Sequence, residues 1–454
     1  MSVIALLIYP ATSHLNSTFK IAKCLESRGH EIVYFDIAGG FVKNFVERQG
    51  FKAEQVGLNN YPKNDAKPLR LSFFSKIKNY FSELSSIDRW IFGETIYEEV
   101  IEKVKPNLMI LDFHFTPDVV ILSKFNIPII FYNLFVPLTK APNVPVCTTA
   151  IIPKKNISSW IQTECSWALH RMIKYVENNV VYKFFSSRFE ERLRTVSIQK
   201  LLSMKYSFPY QEVIDVDRAF HHGFKNIPEI ISSPKEFDFE RNKYPNQINI
   251  SPVVDLERVE IMPDDIENYH ECINTSEGQS LIYISLGTLS DTQFGDTRMF
   301  FEKVIKAFGG QNKYRLLLSV GNNVEVSSFG KCPNNVFIFQ RIPQIDALRF
   351  ADVMITHGGI SSVTECILSA VPMLVFPLSS KFDQPGNAAR VVFHKIGLRG
   401  KIKRDSSAKI KEKVDSLLHD LTFKNNVKEM KEAILKSNDF EGGITFIENM
   451  ILSK

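Results

Sequence analysis

Short apolar runs alternate with amphipathic stretches along both halves of the chain. Residues 3–9 form an apolar run that predicts a buried strand, and residues 17–28 predict a helix that Gly29 ends. The same alternation returns in the second half, where residues 281–284 and 352–355 are apolar and precede turns that contain glycine. Strands that alternate with helices form parallel sheets covered on both faces. The pattern therefore predicts an α/β fold with two doubly wound, Rossmann-like domains facing across a cleft.

Length and composition agree with two domains. The chain has 454 residues, more than one hydrophobic core usually holds. Its hydrophobic content of 44% is typical of globular proteins. A polar stretch with three prolines separates the halves. We expect a first domain over residues 1–230, a linker over 231–252 and a second domain over 253–430.

The turn after the apolar run at residues 352–355 predicts a ligand site. Its members combine two glycines, two serines and a histidine: His357, Gly358, Gly359, Ile360, Ser361 and Ser362. A helix through Glu365 is predicted to follow. Glycines let backbone approach a ligand closely, and the unpaired N–H groups of a helix's first turn attract an anion. A diphosphate is the ligand that suits this turn.

Two side chains near predicted strand ends suit proton transfer. His14 lies in the loop expected after the first strand, and Asp112 follows the apolar run at residues 107–111. The carboxyl ends of parallel strands meet at one edge of a sheet, so the two side chains should lie close together. A neutral imidazole can remove a hydroxyl proton, and a carboxylate can stabilise the imidazolium that forms. His114 and Asp118 are rivals to Asp112.

The second half resembles the donor-binding signature of the UDP-dependent glycosyltransferases, whose architecture is called GT-B. The match covers residues 356–390, including Val371-Pro372 and Asp383-Gln384-Pro385-Gly386-Asn387. The resemblance implies that residues 357–362 hold the diphosphate of a UDP-sugar and that Glu365 binds ribose hydroxyls. It also implies that Asp383 and Gln384 bind hydroxyls of the donor sugar, with glutamine favouring glucose.

Two segments upstream of this signature also resemble the family's motifs, although some of their residues differ from the usual ones. Ile342-Pro343-Gln344 is similar to the loop beside the nucleobase, where many plant members carry tryptophan at the position of Arg341. The guanidinium plane of Arg341 can stack on uracil, or the side chain can simply be solvated. Ser285-Leu286-Gly287-Thr288 resembles the family's Ser-Phe-Gly-Ser/Thr turn, which implies a phosphate contact for Thr288.

The first loop also departs from the family, which usually shows Gly-His-x-x-Pro. Ser13 and Ser17 stand in place of the glycine and the proline, and His14 is kept. The resemblance assigns the role of general base to His14, and Asp112 resembles the strand-end aspartate that supports it. It further implies that residues 1–230 bind the acceptor, that residues 253–430 bind the donor, and that a last helix within 431–454 packs back on the first domain.

The expected reaction is therefore inverting transfer of a hexose, with glucose favoured, from a UDP-sugar to an acceptor hydroxyl. The helix N-terminus and His357 would stabilise the leaving diphosphate, so we predict no metal and no cofactor besides the UDP-sugar as co-substrate. Two alternatives are open. One is a sugar-nucleotide epimerase of the same fold, and the other is a catalytically idle protein that only binds a nucleotide-sugar.

The remaining motifs exclude other classes of protein or predict no functional site. The chain lacks Gly-x-Gly-x-x-Gly and Gly-x-x-x-x-Gly-Lys, which removes nicotinamide enzymes and P-loop proteins. Asp215-Val216-Asp217 matches the Asp-x-Asp of metal-dependent transferases of another fold, but we interpret it as a solvated carboxylate pair. His221 and His222 are adjacent and so face different ways, which argues against a metal pair.

The remaining composition bears on the acceptor and on location. Residues 71–104 and 134–149 are rich in apolar side chains, and 36 phenylalanines suit a small hydrophobic acceptor, although core or lid roles are the alternative. Six cysteines without a Cys-x-x-Cys pair, and no apolar run of spanning length, predict a cytoplasmic protein. The net charge of +5 is modest, and no nucleic-acid partner is predicted. A basic cluster at residues 401–413 is typical of a solvated face, with contact to an anionic membrane surface as the alternative.

Overall fold

Two open parallel sheets organise the chain. The computed structural model describes residues 1–56, 93–181, 185, 196–220, 222–242, 244, 246–287, 297–322 and 324–452. The strands are β1 (Val3–Leu7), β2 (Glu31–Asp36), β3 (Lys52–Gln55), β4 (Leu108–Asp112), β5 (Ile129–Asn133), β6 (Ile214–Asp215), β7 (Gly223–Phe224), β8 (Glu229–Ile231), β9 (Gln247–Asn249), β10 (Ser280–Ser285), β11 (Tyr314–Ser319), β12 (Val336–Phe339), β13 (Val353–Thr356), β14 (Met373–Val375) and β15 (Gly397–Arg399).

The strand order has the doubly wound form in both sheets. The first has seven strands in the order β3-β2-β1-β4-β5-β8-β9, and the second has six in the order β12-β11-β10-β13-β14-β15. All pairings within these two sheets are parallel, while β6 and β7 form a separate antiparallel pair. The predicted fold class, two Rossmann-like domains, is confirmed.

Helices cover the faces of both sheets. The described α-helices are α1 (Thr12–Asn16), α2 (Phe19–Ser27), α3 (Phe41–Glu47), α4 (Gly93–Val104), α5 (Thr116–Leu122), α6 (Ile157–Val176), α7 (Val196–Lys205), α8 (Tyr210–Val213), α9 (Ile266–Ile273), α10 (Arg298–Phe308), α11 (Gln344–Phe350), α12 (Ile360–Leu368), α13 (Gln384–Phe393), α14 (Ser407–His419), α15 (Leu421–Lys436) and α16 (Asp439–Leu452). None of them combines the length and apolar composition of a membrane span.

The apolar pattern explains how these elements pack. Strand β10, Ser-Leu-Ile-Tyr-Ile-Ser, is buried from its second residue on, because helices cover both faces of a parallel sheet. Helix α10 places Phe300, Phe301 and Val304 on one buried face and packs against α14. The core of each domain therefore lies between its sheet and its helices.

The stretch expected to be a linker contributes to the first sheet. Residues 231–252 contain β9, which pairs in parallel with β8 at the sheet edge, so the sheet continues beyond residue 230. Short edge strands tolerate neighbouring prolines, and their sequence therefore looks like that of a linker. The passage to the second sheet comes later, between Asn249 and Ile266.

The last helix, α16, returns to the first domain. It packs against α2 and β9, and Gly443 lies so close to Ile250 that a Cβ there would be 2.5 Å from Ile250 Cγ1. Arg28 donates to Glu441 and Glu448 of this helix at 2.5 and 2.9 Å. The chain thus passes between the two sheets twice.

A second contact joins the halves at α13. Arg390 of this helix is buried and pairs with Asp238 at 2.7 Å. Gly386 lies against the carbonyl of Cys147, with no room for a Cβ. The helix that carries part of the donor signature therefore rests directly on the first domain.

Three of the six basic side chains in the cluster at residues 401–413 are paired with carboxylates. Lys409, Lys411 and Lys413 pair with Glu412, Asp415 and Asp405 respectively. Exposed pairs of this kind belong to a solvated surface. Contact with a membrane surface stays a prediction.

Candidate active site

Each sheet has one point where the chain leaves two neighbouring strands in opposite directions. In the first sheet this switch point lies between β1 and β4, and in the second it lies between β10 and β13. Crevices at the carboxyl ends of such strands are where open α/β sheets bind ligands. The predicted site residues fall at these two places.

His14 and Asp112 meet at the first switch point. His14 is in α1 just after β1, and Asp112 is the last residue of β4. His14 Nδ1 lies 2.6 Å from Asp112 Oδ2, and both side chains are buried. The prediction that His14 lies in a loop is wrong, because Ala11 O accepts from the N–H groups of His14 and Leu15 and forms a short helical turn.

A second imidazole shares the same carboxylate. His114 Nδ1 lies 2.7 Å from Asp112 Oδ1, and the His114 backbone N–H donates to the same oxygen at 3.0 Å. An ionised carboxylate only accepts, so both imidazoles donate from Nδ1 and keep Nε2 as the basic nitrogen. Burial alone would raise the pKa of Asp112, but the charges and hydrogen bonds of His14 and His114 outweigh it and hold the pKa below its ordinary value.

Aromatic rings surround this pair of imidazoles. Tyr9 lies 5.3 Å from His14 and 4.5 Å from His114 between ring centroids, and Phe135 lies 6.0 Å from His14. Phe113 packs on Phe135 edge to face at 5.3 Å.

The rival Asp118 accepts instead from Tyr97 Oη at 2.7 Å. Asp112 is therefore the carboxylate that the fold brings to His14.

Glycines surround His357 at the second switch point. A Cβ at Gly287, after β10, or at Gly359 would lie 2.6 Å from an atom of the His357 ring. Gly358 has a φ of +86° and lies against Val375, where a Cβ would be 2.5 Å from Cγ1. Gly359 is also the N-cap of α12, and in the described part of the chain no side chain caps this helix, so its first N–H groups can receive an anion.

Buried polar atoms around this turn suit a diphosphate and a sugar. Burial lowers the pKa of His357 to about 4, so its imidazole is neutral. Among the described residues, His357 Nδ1, Ser361 Oγ and Asn387 Oδ1 are buried without a hydrogen-bond partner. Buried polar atoms normally have partners, and phosphate oxygens and sugar hydroxyls are the partners these three would accept.

Glu365 is held between two side chains. Arg258 Nη1 donates to Glu365 Oε1 at 2.6 Å, and Gln344 Nε2 donates to Oε2. Gln344 Nε2 also lies 3.2 Å from Ser362 Oγ. The residues expected to bind ribose and base are thus brought together, and Arg258 joins them.

Asp383 and Gln384 begin α13 and are buried. Asn387 Nδ2 donates to Asp383 Oδ2 at 2.6 Å and to Gly358 O at 2.9 Å, which ties the start of α13 to the turn at residues 357–362. Burial raises the pKa of Asp383 to about 6. Gln384 Oε1 accepts from the N–H groups of Leu378 and Ser379, which fixes the orientation of the amide.

Other expected residues are placed elsewhere. Arg341 is exposed and donates from Nε to Asn322 Oδ1 at 2.8 Å, and its stacking role stays a prediction. Thr288 and His221 lie outside the described residues. The interpretation of Asp215-Val216-Asp217 as a solvated pair is wrong for Asp215, which is buried and accepts from Tyr244 at 3.3 Å.

In the described chain, one group of side chains has the spacing for a metal ion. It consists of His14, Asp112 and His114, whose ligand atoms lie within 4.8 Å of one another. A metal bound at the two Nδ1 atoms would have to replace the protons that now bridge to Asp112. The expectation of a metal-independent site stays a prediction.

Several site residues were not predicted from the sequence. Arg258 is separated from Glu365 by 107 residues and has no motif around it. Gly287 and Asn387 lie inside quoted motifs but had no assigned role. For Asn387 a signal existed, because it follows Asp383 by four residues, a spacing that places two side chains on one face of a helix.

The comparisons with known proteins agree with this geometry. The family model for UDP-glucoronosyl and UDP-glucosyl transferase matches residues 4–436. The chain belongs to this family. It is therefore a nucleotide-sugar-dependent glycosyltransferase, and its architecture is GT-B.

Two relatives of this glycosyltransferase are distant in sequence but match along nearly the whole chain. NDP-glycosyltransferase YjiC of Bacillus subtilis (strain 168) is 24% identical over 98% of this chain and 96% of its own. Zeaxanthin glucosyltransferase of Pantoea ananas is 23% identical over 99% of this chain and 96% of its own. Among solved structures, the calicheamicin glycosyltransferase CalG4 superposes with a TM-score of 0.66 at 17% identity, covering 100% of this chain and 99% of the other.

Proposed function

We propose that this glycosyltransferase moves a hexose, with glucose favoured, from a UDP-sugar to a hydroxyl of a small hydrophobic acceptor, and that the anomeric carbon is inverted. The observation that carries the proposal is the hydrogen bond between His14 Nδ1 and the buried Asp112 carboxylate at 2.6 Å. This bond leaves His14 Nε2 as a basic nitrogen beside an aromatic wall.

His14 acts as the general base. Its Nε2 takes the proton of the acceptor hydroxyl while the oxygen forms a bond to the anomeric carbon from the face opposite the leaving group. The bond between the anomeric carbon and the diphosphate breaks, and its electron pair stays on the diphosphate oxygen. Asp112 stabilises the imidazolium that results, as the buried aspartate does in hydrolase triads.

The second switch point stabilises the leaving diphosphate. The first turn of α12 offers backbone N–H groups and the positive end of the helix dipole. His357 is neutral and contributes a hydrogen-bond donor, since burial lowers its pKa to about 4. These groups supply charge stabilisation in a fixed geometry, and no metal is needed for it.

The donor is recognised along the signature. Glu365 accepts ribose hydroxyls, and Asp383 and Gln384 bind hydroxyls of the sugar. Thr288 and Arg341 are assigned to phosphate and base by the resemblance alone. Gln384 at this position leans toward glucose in the family.

The acceptor binds over the first switch point. Tyr9, Phe113 and Phe135 form an apolar wall beside His14, which suits a hydrophobic molecule with one hydroxyl near Nε2. One relative is named for zeaxanthin, and this supports an apolar acceptor for the present chain. Residues 71–92 of the apolar stretch expected to line the pocket lie outside the described residues.

The division of labour follows the two sheets, the first domain binding acceptor and the second binding donor. The cytoplasm is the proposed location, because all six cysteines are free thiols, which suits a reducing compartment.

The test is transfer itself. The purified protein is incubated with UDP-glucose, other UDP-sugars and dTDP-sugars, with phenols, macrolides, carotenoid alcohols and sterols as acceptors and EDTA in every reaction. Mass spectrometry should detect an acceptor that has gained a hexose, and NMR of the product should show a β-glycoside from the α-linked donor. An α-glycoside, a requirement for metal, or an epimerised sugar released without acceptor would contradict the proposal.

A further inference from the structure

Residues 252–260 connect the two domains and are here called the strap. On the side of the first domain, Lys20 Nζ donates to Pro252 O at 2.8 Å and Lys23 pairs with Asp255 at 2.8 Å. The Gln49 side chain accepts from Val259 N–H at 3.0 Å and donates to Val259 O at 2.9 Å. The strap therefore contacts the first domain at several points, the last of them the residue that follows Arg258.

On the other side, Arg258 reaches into the donor site. Its Nη1 donates to Glu365 Oε1 at 2.6 Å, and its Nε and Nη2 donate to Glu260 Oε1 at 3.2 and 2.7 Å. Glu260 Oε2 in turn accepts from Ile345 N–H at 2.9 Å, in the first turn of α11. The side chains of Arg258 and Glu365 are 6% and 5% exposed, so water does not screen the pair.

The guanidinium fixes the direction in which Glu365 can accept further bonds. Arg258 occupies one lone pair of Oε1 and Gln344 occupies one of Oε2, and each carboxylate oxygen has a second. The planar fork of an arginine holds its partners in one geometry, which a lysine does not. The two remaining acceptor directions of Glu365 are thereby fixed before a nucleotide arrives.

We propose that Arg258 is a positioning residue for the nucleotide: it orients Glu365 so that both ribose hydroxyls are bound, and it sets the preference for a ribonucleotide over a 2′-deoxynucleotide. The inference rests on the proposed function, because it takes Glu365 as the ribose-binding carboxylate. It adds the strap, a segment outside the donor signature, to the determinants of donor specificity.

Binding of UDP and 2′-deoxy-UDP, measured by titration calorimetry, tests the role. The wild type should prefer UDP by about tenfold, the size of one well-placed hydrogen bond to a charged group. Arg258→Met should weaken UDP binding by about tenfold and change 2′-deoxy-UDP binding much less, so the preference is lost. In transfer assays the donor KM should rise while kcat stays within about twofold, since no group at the reacting carbon changes.

Arg28→Met is the matched control. Arg28 also pairs with two glutamates, Glu441 and Glu448, which both belong to α16, and it lies outside the proposed site. It should leave both nucleotide affinities unchanged. Arg258→Lys keeps the buried charge and loses the fork, so it should fold and recover only part of the preference, and it decides the question if Arg258→Met does not fold.

The outcomes are distinct. If the Arg258 variants keep the full preference for UDP, or lose both nucleotides by the same factor, the inference is overturned while the proposed function stands. If the wild type binds neither nucleotide, the proposed donor is wrong and the inference falls with it.

Discussion

The two switch points have the same topology and opposite chemistry. At the first, one buried carboxylate accepts hydrogen bonds from two imidazoles at 2.6 and 2.7 Å. At the second, the corresponding place between β10 and β13 holds glycines packed on a neutral histidine. Among the described residues, the second also leaves buried polar atoms at His357, Ser361 and Asn387 without partners.

Burial explains the difference. A buried charge is costly unless it is paired, so the first switch point contains the partners of its own charge. The proposed ligand of the second is a diphosphate, which brings its charge with it, and a neutral histidine and backbone N–H groups are enough to receive it. The proposed catalytic site is therefore complete in the protein alone, whereas the proposed donor site is completed by its ligand.

Removing the base should give the largest effect. His14→Ala should lower kcat by about 10²–10⁴-fold, the usual contribution of a general base, and leave the affinity for UDP nearly unchanged because His14 belongs to the other switch point. Steady-state kinetics and UDP calorimetry measure the two quantities. His30→Ala, next to Glu448 and remote from the site, is the control. Unchanged turnover in His14→Ala would sink the assignment of the base.

Adding a methyl group beside the His357 ring should weaken donor binding and nothing else. Gly287→Ala places a methyl group 2.6 Å from the His357 ring, so we expect His357 to move and UDP binding to weaken by about tenfold, the loss of one hydrogen bond to a charged group. Gly278→Ala is the matched control, because Gly278 also has a positive φ, +82°, with nothing within 4 Å of its Cβ position.

Both glycine variants carry the backbone strain, and only Gly287→Ala carries the clash. Calorimetry with UDP separates them, and thermal unfolding reports the strain that they share. Equal UDP affinity in the two variants would show that close packing around His357 does not matter for the donor.

Acid should weaken sugar recognition before it weakens nucleotide recognition. Burial raises the pKa of Asp383 to about 6, so the carboxylate is ionised above that pH and becomes protonated below it. A protonated carboxyl accepts hydroxyl donors less well, and the affinity for UDP-glucose should fall as the pH drops through about 6, while the affinity for UDP should not. Asp383→Asn should remove this pH dependence. Parallel pH profiles for the two ligands would refute the role of Asp383 in sugar binding.

The smallest effect should come from the far side of the strap. Gln49→Ala removes both hydrogen bonds to Val259 and should raise the donor KM by about twofold, since exposed hydrogen bonds contribute little. Gln279→Ala is matched, because Gln279 also bonds backbone groups, those of Ser276 and Asn312, within the second domain. A donor KM that rises equally in both variants would indicate general loosening.

The sequence predicted the parts of this molecule that depend on local patterning. The apolar run at 352–355 became β13 at Val353–Thr356, and Asp112 ends β4 as expected, because buried parallel strands read as continuous apolar runs. The short helix that carries His14 was not predicted, since five residues are too few to show helical periodicity.

Pairings across long distances in sequence were not predictable in the same way. From the sequence alone, His114 is a rival to Asp112, whereas in the structure His114 is hydrogen-bonded to the Asp112 carboxylate. Arg258 and Glu365 lie 107 residues apart, and only tertiary packing decides that they meet. From the sequence alone, residues 253–260 of the strap are expected in the second domain, whereas in the structure they lie between the two sheets, and no local pattern marks that position.

The two passages of the chain between the sheets limit how the halves can move. Two domains that are joined by one segment can rotate about any axis. Two domains that are joined by two separate segments are restricted to rotation about the line through both segments. The segment from Asn249 to Ile266 is one attachment and the turn before α16 is the other. A movement of one half relative to the other would have to bend both segments and break the buried pair of Arg390 and Asp238, and one pair of distance labels, one on each half, is enough to detect it.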